Sequence, residues 1–237
     1  MAKQNRAVRT RQELIRSAAE TFARSGFAES SITQICVRAG LSHGALHFHF
    51  GNKRALGEAV ESAAAETLLH ITGNVPLRHP VPLQLLVDTS HLLARRLSTD
   101  AVLRAGFCLG SDATWPGGAD LWQQWQDWVQ LMLTVARARG SLAADIVLDD
   151  AVAAITAVVA GLEVLGRRDP RWNSRQAVTP FWRLMLPQLA TAEARAGIAP
   201  EGSCAEPPEG GERAVGAEWG EAGGRRAAKP CDALSCC

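Results

Sequence analysis

The chain has 237 residues, of which 47% are hydrophobic, and a formal net charge of +1 at pH 7. Its length and apolar content allow a buried core in one or two domains, while the balanced total charge by itself indicates no partner. The most apolar run, residues 151–162, is shorter than the about 20 residues that a membrane-spanning helix needs. It therefore predicts a buried helix and no membrane contact.

The charge is unevenly distributed along the chain. Residues 1–60 contain nine basic and four acidic side chains, a net charge of +5, whereas the net charge is −1 over residues 61–197 and −3 over residues 198–237. A basic head on a near-neutral body is typical of a protein whose one end meets phosphate groups.

Four helices are predicted in the first 70 residues. Residues 10–26 carry apolar side chains on one face, with Thr10 and Glu13 as a candidate capping box and Gly26 as the stop. Residues 31–40 repeat this pattern, with Ser31 and Gln34 as the capping box and Gly40 as the stop. A very short helix follows over residues 43–48, and a longer helix begins near Lys53 and runs toward His70.

The rest of the chain is predicted to be helical up to about residue 197. Breaks fall at 73–82, 110–118, 137–141 and 166–173, and the helical segments lie at about 83–98, 100–109, 119–138, 148–165 and 176–196. No segment shows the alternation of a strand. Residues 198–237 are rich in Pro, Gly and charge and are expected to be disordered.

The two short helices around Gly40 predict a helix-turn-helix. Gly40 permits a left-handed turn, and Ser42 caps free N–H groups at a helix end that also attracts phosphate. The small residues Gly44 and Ala45 let the backbone approach bases closely. Leu46, Phe48 and Phe50 are expected to anchor the short helix against its neighbours. In this motif the second helix enters the major groove of DNA.

The stretch "TRQELIRSAAETFARSGFAESSITQICVRAGLSHGALHFHFGNKRAL" resembles the DNA-binding domain of TetR-family repressors, nearly without gaps over residues 9–56. The resemblance implies a homodimeric repressor that binds double-stranded DNA and releases it when a small molecule enters a larger C-terminal domain. It implies an all-α fold, in which an N-terminal three-helix helix-turn-helix domain precedes a larger α-helical domain. The predicted regions are a flexible basic arm (1–8), the DNA-binding domain (9–55), the ligand-binding and dimerisation domain (56–197) and a disordered tail (198–237).

The resemblance also implies which residues contact DNA. The expected contacts are Thr33, Ser42, His43, Gly44, Ala45, His47, His49 and Lys53, with Arg6, Arg9 and Arg11 as further contacts to the DNA backbone. His47 replaces a tyrosine of the family that contacts phosphate, so this contact is expected to be weaker or pH-dependent. Lys53 matches the family's phosphate-contacting lysine, with a solvated surface lysine as the alternative.

Two other interpretations of the histidines have to be considered. His43 and His47 stand four residues apart, a spacing that can bind zinc, but "HGALH" lacks the glutamate of the H-E-x-x-H motif and no supporting ligand follows. Solvated histidines are the second alternative.

An enzyme would have to use His43, His47 and His49 or Cys108. The sequence offers no nucleophile with a base and an orienting residue, so no enzyme activity, metal or cofactor is expected. A protein-interaction module that no longer binds DNA is the third class of function.

The second domain contains tryptophans at 122, 125 and 128. Trp125, Trp128, Val129 and Met132 are expected on the inward face of one helix, with Trp122 at its edge. Such a face is either ordinary core or the wall of an apolar ligand cavity.

Four stretches, "VLRAGFCLGSDA", "LTVARARGSL", "AITAVVAGLEVLG" and "FWRLMLPQL", are similar to the γ-butyrolactone receptor branch of the TetR family. The branch implies control of antibiotic or secondary-metabolite production by a small apolar effector: a γ-butyrolactone, an antibiotic or an intermediate. The expected ligand-binding residues are Trp125, Trp128, Leu103, Phe107, Val158 and Trp182.

The last two long helices predict a homodimer. Residues 149–166 are apolar nearly all round, and packing with helix 176–196 and two symmetry mates would form a four-helix interface, with a purely intramolecular core as the alternative. A dimer selects a pseudo-palindromic operator.

The six cysteines indicate neither a disulfide framework nor a zinc site. Cys36 and Cys108 lie in apolar helical patterns and are expected to be buried, and the four cysteines of the tail lack the spacing of a zinc site. A reducing cytoplasm is the expected compartment.

Overall fold

The computed structural model describes residues 2–73 and 81–203, which are helical almost throughout. The helices are α1 (Ala2–Glu29), α2 (Ile32–Ala39), α3 (His43–His49), α4 (Lys53–Gly73), α5 (Pro82–Thr99), α6 (Ala101–Gly110), α7 (Leu121–Ala138), α8 (Leu148–Gly166), α9 (Arg175–Leu189) and α10 (Ala192–Arg195), with a 3₁₀ turn at Pro170–Asn173. Within the described ranges, β-pairing is limited to one isolated bridge between Leu142 and Ala190. The all-α prediction is therefore confirmed.

The N-terminal arm departs from the prediction. Helix α1 begins at Ala2, so residues 2–8 are helical rather than an extended flexible arm. Thr10 lies inside the helix and its hydroxyl donates to the carbonyl of Arg6 at 2.9 Å, which rules out its predicted role as the N-cap. The physical reason is that no glycine or proline interrupts residues 2–9, which include the good helix formers Ala, Lys, Gln and Arg.

Two apolar clusters make up the core. The smaller cluster joins α1 to α4 and takes Ala105, Leu109 and Trp115 from α6 and the segment after it. The larger cluster joins α4 to α9 and holds the inward tryptophans of α7. Helix α4 runs through the predicted domain boundary at 55/56 without a break and contributes to both clusters.

Helix α6 lies against both α1 and α4, and small residues make this close approach possible. A Cβ added to Gly106 would lie 2.3 Å from the Cβ of Ala64, closer than packed carbon atoms come. The larger domain is therefore packed directly onto the helices that carry the helix-turn-helix.

The C-terminal end of the fold also differs from the prediction. The expected helix 176–196 is split, because Ala190 leaves the helix to pair with Leu142 and Thr191 then caps the short α10. The ordered chain extends beyond the predicted boundary at 197/198. The amide of Ala199 donates to Gln84 at 2.6 Å and Ser203 donates to Asp88, which fixes residues 198–203 against α5. The predicted disorder from residue 204 onward, and most of the predicted break at 73–82, fall outside the described residues.

None of the helices in residues 2–73 and 81–203 combines the length and hydropathy that crossing a membrane requires.

Candidate functional site

The helix-turn-helix is built by the caps that the sequence indicates. The Ser31 hydroxyl accepts from the amide of Gln34 at 3.2 Å, and the Gln34 side chain accepts from the amide of Ser31 at 2.9 Å. Gly40 ends α2 at φ 63° and ψ 30°, the left-handed conformation that favours glycine. Ser42 then begins α3 by accepting from the amide of Ala45 at 3.1 Å. These local rules fix how α3 leaves the turn.

The anchoring of α3 was predicted correctly for two of three residues. Leu46 and Phe50 are buried in the smaller cluster, but Phe48 is 82% exposed, so its predicted role as an anchor is wrong. Residues 46 and 50 are one helical turn apart and face the core, whereas residue 48 lies about 200° around the helix from residue 46. Phe48 therefore projects away from the protein.

The predicted DNA-contacting residues of the helix-turn-helix lie on or beside α3 and, for Thr33, on α2. Thr33, Ser42, His43, Gly44 and His47 are exposed, and Ala45 and His49 are half-buried. The Nδ1 atom of His47 lies 3.1 Å from the carbonyl oxygen of Gly51, which suits the tautomer with its proton on Nδ1. Among the described residues, no cluster of three or more His, Cys, Asp or Glu side chains could hold a metal ion.

Lys53 at the start of α4 is engaged within the chain. Its ammonium group donates to the carbonyls of Phe27, Ala28 and Ser30 at 2.8, 3.2 and 2.9 Å and lies 4.5 Å from the centre of the Phe27 ring. These carbonyls belong to the end of α1 and the turn after it, where helical partners are missing. Lys53 thus caps α1, and its three donors are occupied in this geometry; the phosphate contact stays a prediction.

Phe27 joins the end of α1 to the segment that follows α6. Its amide donates to Asp112 at 2.8 Å, just after Gly26 turns the chain at φ 75°. Its ring packs edge-on against Trp115 with centroids 4.6 Å apart. We call residues 111–119 the coupling loop, because they connect α6 and α7 while contacting the end of α1.

The coupling loop is also fixed to α4. The Trp115 indole donates to the buried carboxylate of Glu61 at 2.8 Å, and the amide of Ala119 donates to the same carboxylate. Gly57 provides the space, since a Cβ there would lie 2.5 Å from the Trp115 ring. Sequence reasoning missed this contact; its only signal was a tryptophan within a Pro/Gly-rich break.

Two carboxyl groups in this region have shifted pKa values in opposite directions. For Asp112, burial acts to raise the pKa, but hydrogen bonds from Thr114 and from the amide of Phe27 outweigh it and lower the pKa. For Glu61, burial raises the pKa and outweighs the lowering effect of the hydrogen bonds from Trp115 and Ala119. Asp112 in the coupling loop is therefore readily ionised, whereas Glu61 on α4, which this loop contacts, ionises reluctantly.

All six residues predicted to bind a ligand belong to the larger cluster. Leu103, Phe107, Trp125, Trp128 and Trp182 are buried, and Val158 is half-buried beside them. The indoles of Trp125 and Trp128 are stacked with centroids 5.3 Å apart, and the Trp128 indole donates to the carbonyl of Thr72 at 3.0 Å. Trp122 lies at the edge as expected, with its indole donating to Ser111.

Five buried polar atoms have no hydrogen-bond partner among the described residues, and two of them belong to this cluster. These two are the indole N–H groups of Trp125 and Trp182; the others are the hydroxyl of Thr156 on α8, Nδ1 of His91 and Oδ1 of Asn173. A buried donor without a partner costs about 1–3 kcal/mol, so such groups are uncommon in a settled core. Thr156 was missed by sequence reasoning, because a threonine in an apolar helix carries no distinctive signal.

Cys108 does not have the character of a catalytic nucleophile. Its thiol lies 3.6 Å from the carboxylate of Glu163, which is 1% exposed and forms a paired salt bridge with Arg167. Burial, followed by the charge of Glu163, raises the pKa of Cys108 to about 12, so it stays a thiol at neutral pH.

Comparisons with known proteins agree with this geometry. The family description "Bacterial regulatory proteins, tetR family" matches residues 14–60. The A-factor receptor protein of Streptomyces griseus is 34% identical over 206 residues, covering 85% of this chain and 71% of the receptor.

Solved structures give the same result. A γ-butyrolactone receptor described as an ArpA-like protein is 26% identical, with a TM-score of 0.70 over 81% of this chain and 93% of that chain. CprB of Streptomyces coelicolor in complex with its operator sequence is 25% identical, with a TM-score of 0.69 over 81% of this chain and 93% of that chain. The proteins matched by sequence are described as bacterial regulatory proteins, a receptor and, for TtgR of Pseudomonas putida, which is 34% identical over 65 residues, an HTH-type transcriptional regulator, and not as enzymes.

The capping role of Lys53 can be separated from a phosphate contact. Lys53→Ala is expected to lower the free energy of unfolding by about 1–3 kcal/mol, because three carbonyls lose a charged donor. Urea unfolding measures this loss, with Arg54→Ala as the control that removes the neighbouring exposed charge. If Lys53 acts only as a cap, the variant keeps the wild-type slope of log Kd for duplex DNA against log salt concentration. A slope smaller by about one would instead establish a phosphate contact.

The pH dependence of stability tests the burial of Glu61. Its pKa is raised on folding, so its contribution is fully present below the unfolded-state pKa and is lost as the pH rises through the folded-state pKa. Glu61→Gln stays neutral, so its stability relative to the wild type is expected to increase with pH. Urea unfolding over a pH series measures this difference, and the exposed Glu193→Gln, which does not act on Glu61, controls for loss of a surface carboxylate. A difference that stays constant with pH would contradict the assignment.

Proposed function

We propose that this chain, which belongs to the TetR family and is related to the A-factor receptor, is a repressor released from DNA by a γ-butyrolactone-type effector. The proposed target is a pseudo-palindromic operator at genes for antibiotic or secondary-metabolite production. The observation that carries the proposal is the presence, in one chain, of an exposed and capped α3, which is the recognition helix of the helix-turn-helix, and of buried, unpartnered polar groups in the larger domain.

DNA binding is supported by charge and exposure. The first 60 residues have a net charge of +5, and the predicted contacts Ser42, His43, Gly44 and His47 are open to solvent. Helix α3 begins with a capped N-terminus, which suits approach to the negatively charged groove. The small side chain of Ala45 and the absent one of Gly44 allow the backbone to come near base edges.

A dimer is supported by apolar side chains left exposed on α8 and α9. Val164, Leu165 and Leu184 are 55%, 41% and 78% exposed, although α8 is one of the most apolar helices of the chain. Pairing these helices with their copies in a second chain would bury this surface in a four-helix interface. Two recognition helices would then face successive turns of the same DNA.

Effector binding is supported by buried donors of the larger domain that have no acceptor among the described residues. The indole N–H groups of Trp125 and Trp182 and the hydroxyl of Thr156 are donors without acceptors. A γ-butyrolactone offers a carbonyl and a ring oxygen as acceptors, while its alkyl chain suits an apolar environment such as that of the buried Leu103 and Phe107. An effector would therefore supply the hydrogen bonds that the protein alone leaves unmade.

The proposed coupling runs through α6 and the coupling loop. Leu103 and Phe107 of α6 belong to the larger cluster, while Ala105 and Leu109 of the same helix belong to the smaller one. Displacement of α6 by an effector would move Asp112 and Trp115, which hold the end of α1 and α4. Because α1 and α4 flank the helix-turn-helix, such a movement changes the orientation of α3.

Duplex binding tests the proposed function directly. The wild type is expected to bind DNA in a salt-sensitive manner, with affinity falling about a thousandfold between 50 and 200 mM salt, as several phosphate contacts require. Gly44→Glu places a negative charge on the exposed face of α3 and is expected to abolish binding, whereas Gly73→Glu makes the same change at the far end of α4. Fluorescence anisotropy measures both. Failure of the wild type to bind at low salt would refute the repressor function.

The effector site is tested by removing one hydrogen-bond donor, the indole N–H of Trp125, while keeping an aromatic ring at this position. Trp125→Phe keeps an aromatic ring but lacks the N–H, so release of DNA by an alkyl-substituted γ-butyrolactone is expected to need about 3- to 10-fold more ligand. Trp172→Phe is the control, since this tryptophan is 45% exposed in the 3₁₀ turn and lies outside both clusters. An unchanged dose response in Trp125→Phe would exclude this indole from the site.

A further inference from the structure

Phe48 is a large apolar side chain with no structural role inside the domain. It is 82% exposed and lies outside the smaller cluster, although burying a phenylalanine stabilises a fold by about 1.5–3 kcal/mol. Its ring approaches the adjacent His49 edge-on, with centroids 5.1 Å apart. An aromatic ring is therefore exposed to water at a position where a polar residue would leave the stability of the fold unchanged.

The position of Phe48 on α3 shows which face of the helix carries its exposed ring. Residues 44 and 45 are four and three positions earlier, so they share one helical face with Phe48. Leu46 and Phe50 hold the opposite face against the core. Because residues 44 and 45 are glycine and alanine, nothing on this face projects further than the Phe48 ring.

The neighbouring His47 does not share this freedom. Its Nδ1 atom is bonded to the carbonyl of Gly51, in the turn that leads to α4. The residue that replaces the family's tyrosine is thus used to brace the end of α3. Phe48 is therefore the large side chain on the helix face that it shares with Gly44 and Ala45.

We propose that Phe48 determines operator sequence by packing against the C5-methyl group of a thymine in each half-site. The major-groove edges of the four bases present hydrogen-bond donors and acceptors, and the thymine methyl is the apolar feature among them. A phenyl ring cannot satisfy the polar edges of the other bases and would leave them without water. The inference rests on the proposed DNA-binding function and names the base chemistry that α3 selects.

The test combines deletion of the ring with deletion of the methyl group. Bound duplexes are first selected from a random-sequence library with the wild type, and each thymine of the selected sequence is then replaced by deoxyuridine. Affinities of the wild type and Phe48→Ala are compared by fluorescence anisotropy. Phe48→Leu, which keeps an apolar side chain, and Val37→Ala, which removes another exposed apolar side chain from α2, are the controls.

One thymine in each half-site is expected to account for the effect of Phe48. Replacing it weakens wild-type binding about fourfold per half-site, as loss of one buried methyl group predicts, and leaves Phe48→Ala unchanged. Phe48→Leu keeps part of the sensitivity, and Val37→Ala keeps all of it. Thermal melting checks that Phe48→Ala is folded, which its exposure leads us to expect.

The outcomes that overturn the inference differ from those that overturn DNA binding. Equal sensitivity of the wild type and Phe48→Ala at every thymine would show that the ring does not contact a methyl group. Salt-sensitive binding without any selected sequence would reject the base-reading role while leaving the DNA-binding function intact. A wild type that binds no duplex at low salt would refute both.

Discussion

The unsatisfied backbone at the end of α1 is the constraint on which the rest of the structure depends. A helix end needs partners for its last carbonyls, and the turn after Gly26 leaves the amide of Phe27 in the same need. Lys53 supplies the donors from α4, and Asp112 supplies the acceptor from the coupling loop. One turn of backbone is thus held from both domains, and the position of the helix-turn-helix depends on the larger domain.

The two apolar clusters differ in size and in how completely their polar groups are hydrogen-bonded. The smaller cluster is modest in size and is completed by residues of α6 and the coupling loop, so the DNA-binding helices do not form a fully separate unit. The larger cluster is extensive but leaves polar donors without acceptors. A core that is incomplete in hydrogen bonding but joined through α6 to the DNA-binding helices is suited to respond when an effector completes it.

The sequence predicted those features that local rules control. The capping box at Ser31, the left-handed Gly40 and the cap at Ser42 follow from short-range geometry, and all three are present. The inward tryptophans of α7 followed from helical periodicity. The start of α1 and the exposure of Phe48 also follow from local rules, helix propensity and helical periodicity, yet both were misassigned. The contacts of Lys53 were missed because they depend on how distant segments meet. The hydrogen bond between Phe27 and Asp112, residues 85 apart, has no local signal.

Hydrogen exchange at the Phe27 amide, measured together with duplex affinity in Asp112→Ala, tests whether the coupling loop positions the DNA-binding helices. This change leaves α2 and α3 untouched and removes the acceptor that the larger domain provides. In Asp112→Ala we expect faster exchange at Phe27 and weaker binding to the selected duplex, with the caps of α2 and α3 still protected. Faster exchange at Phe27 with undiminished affinity for the duplex would contradict the claim that the coupling loop positions the DNA-binding helices.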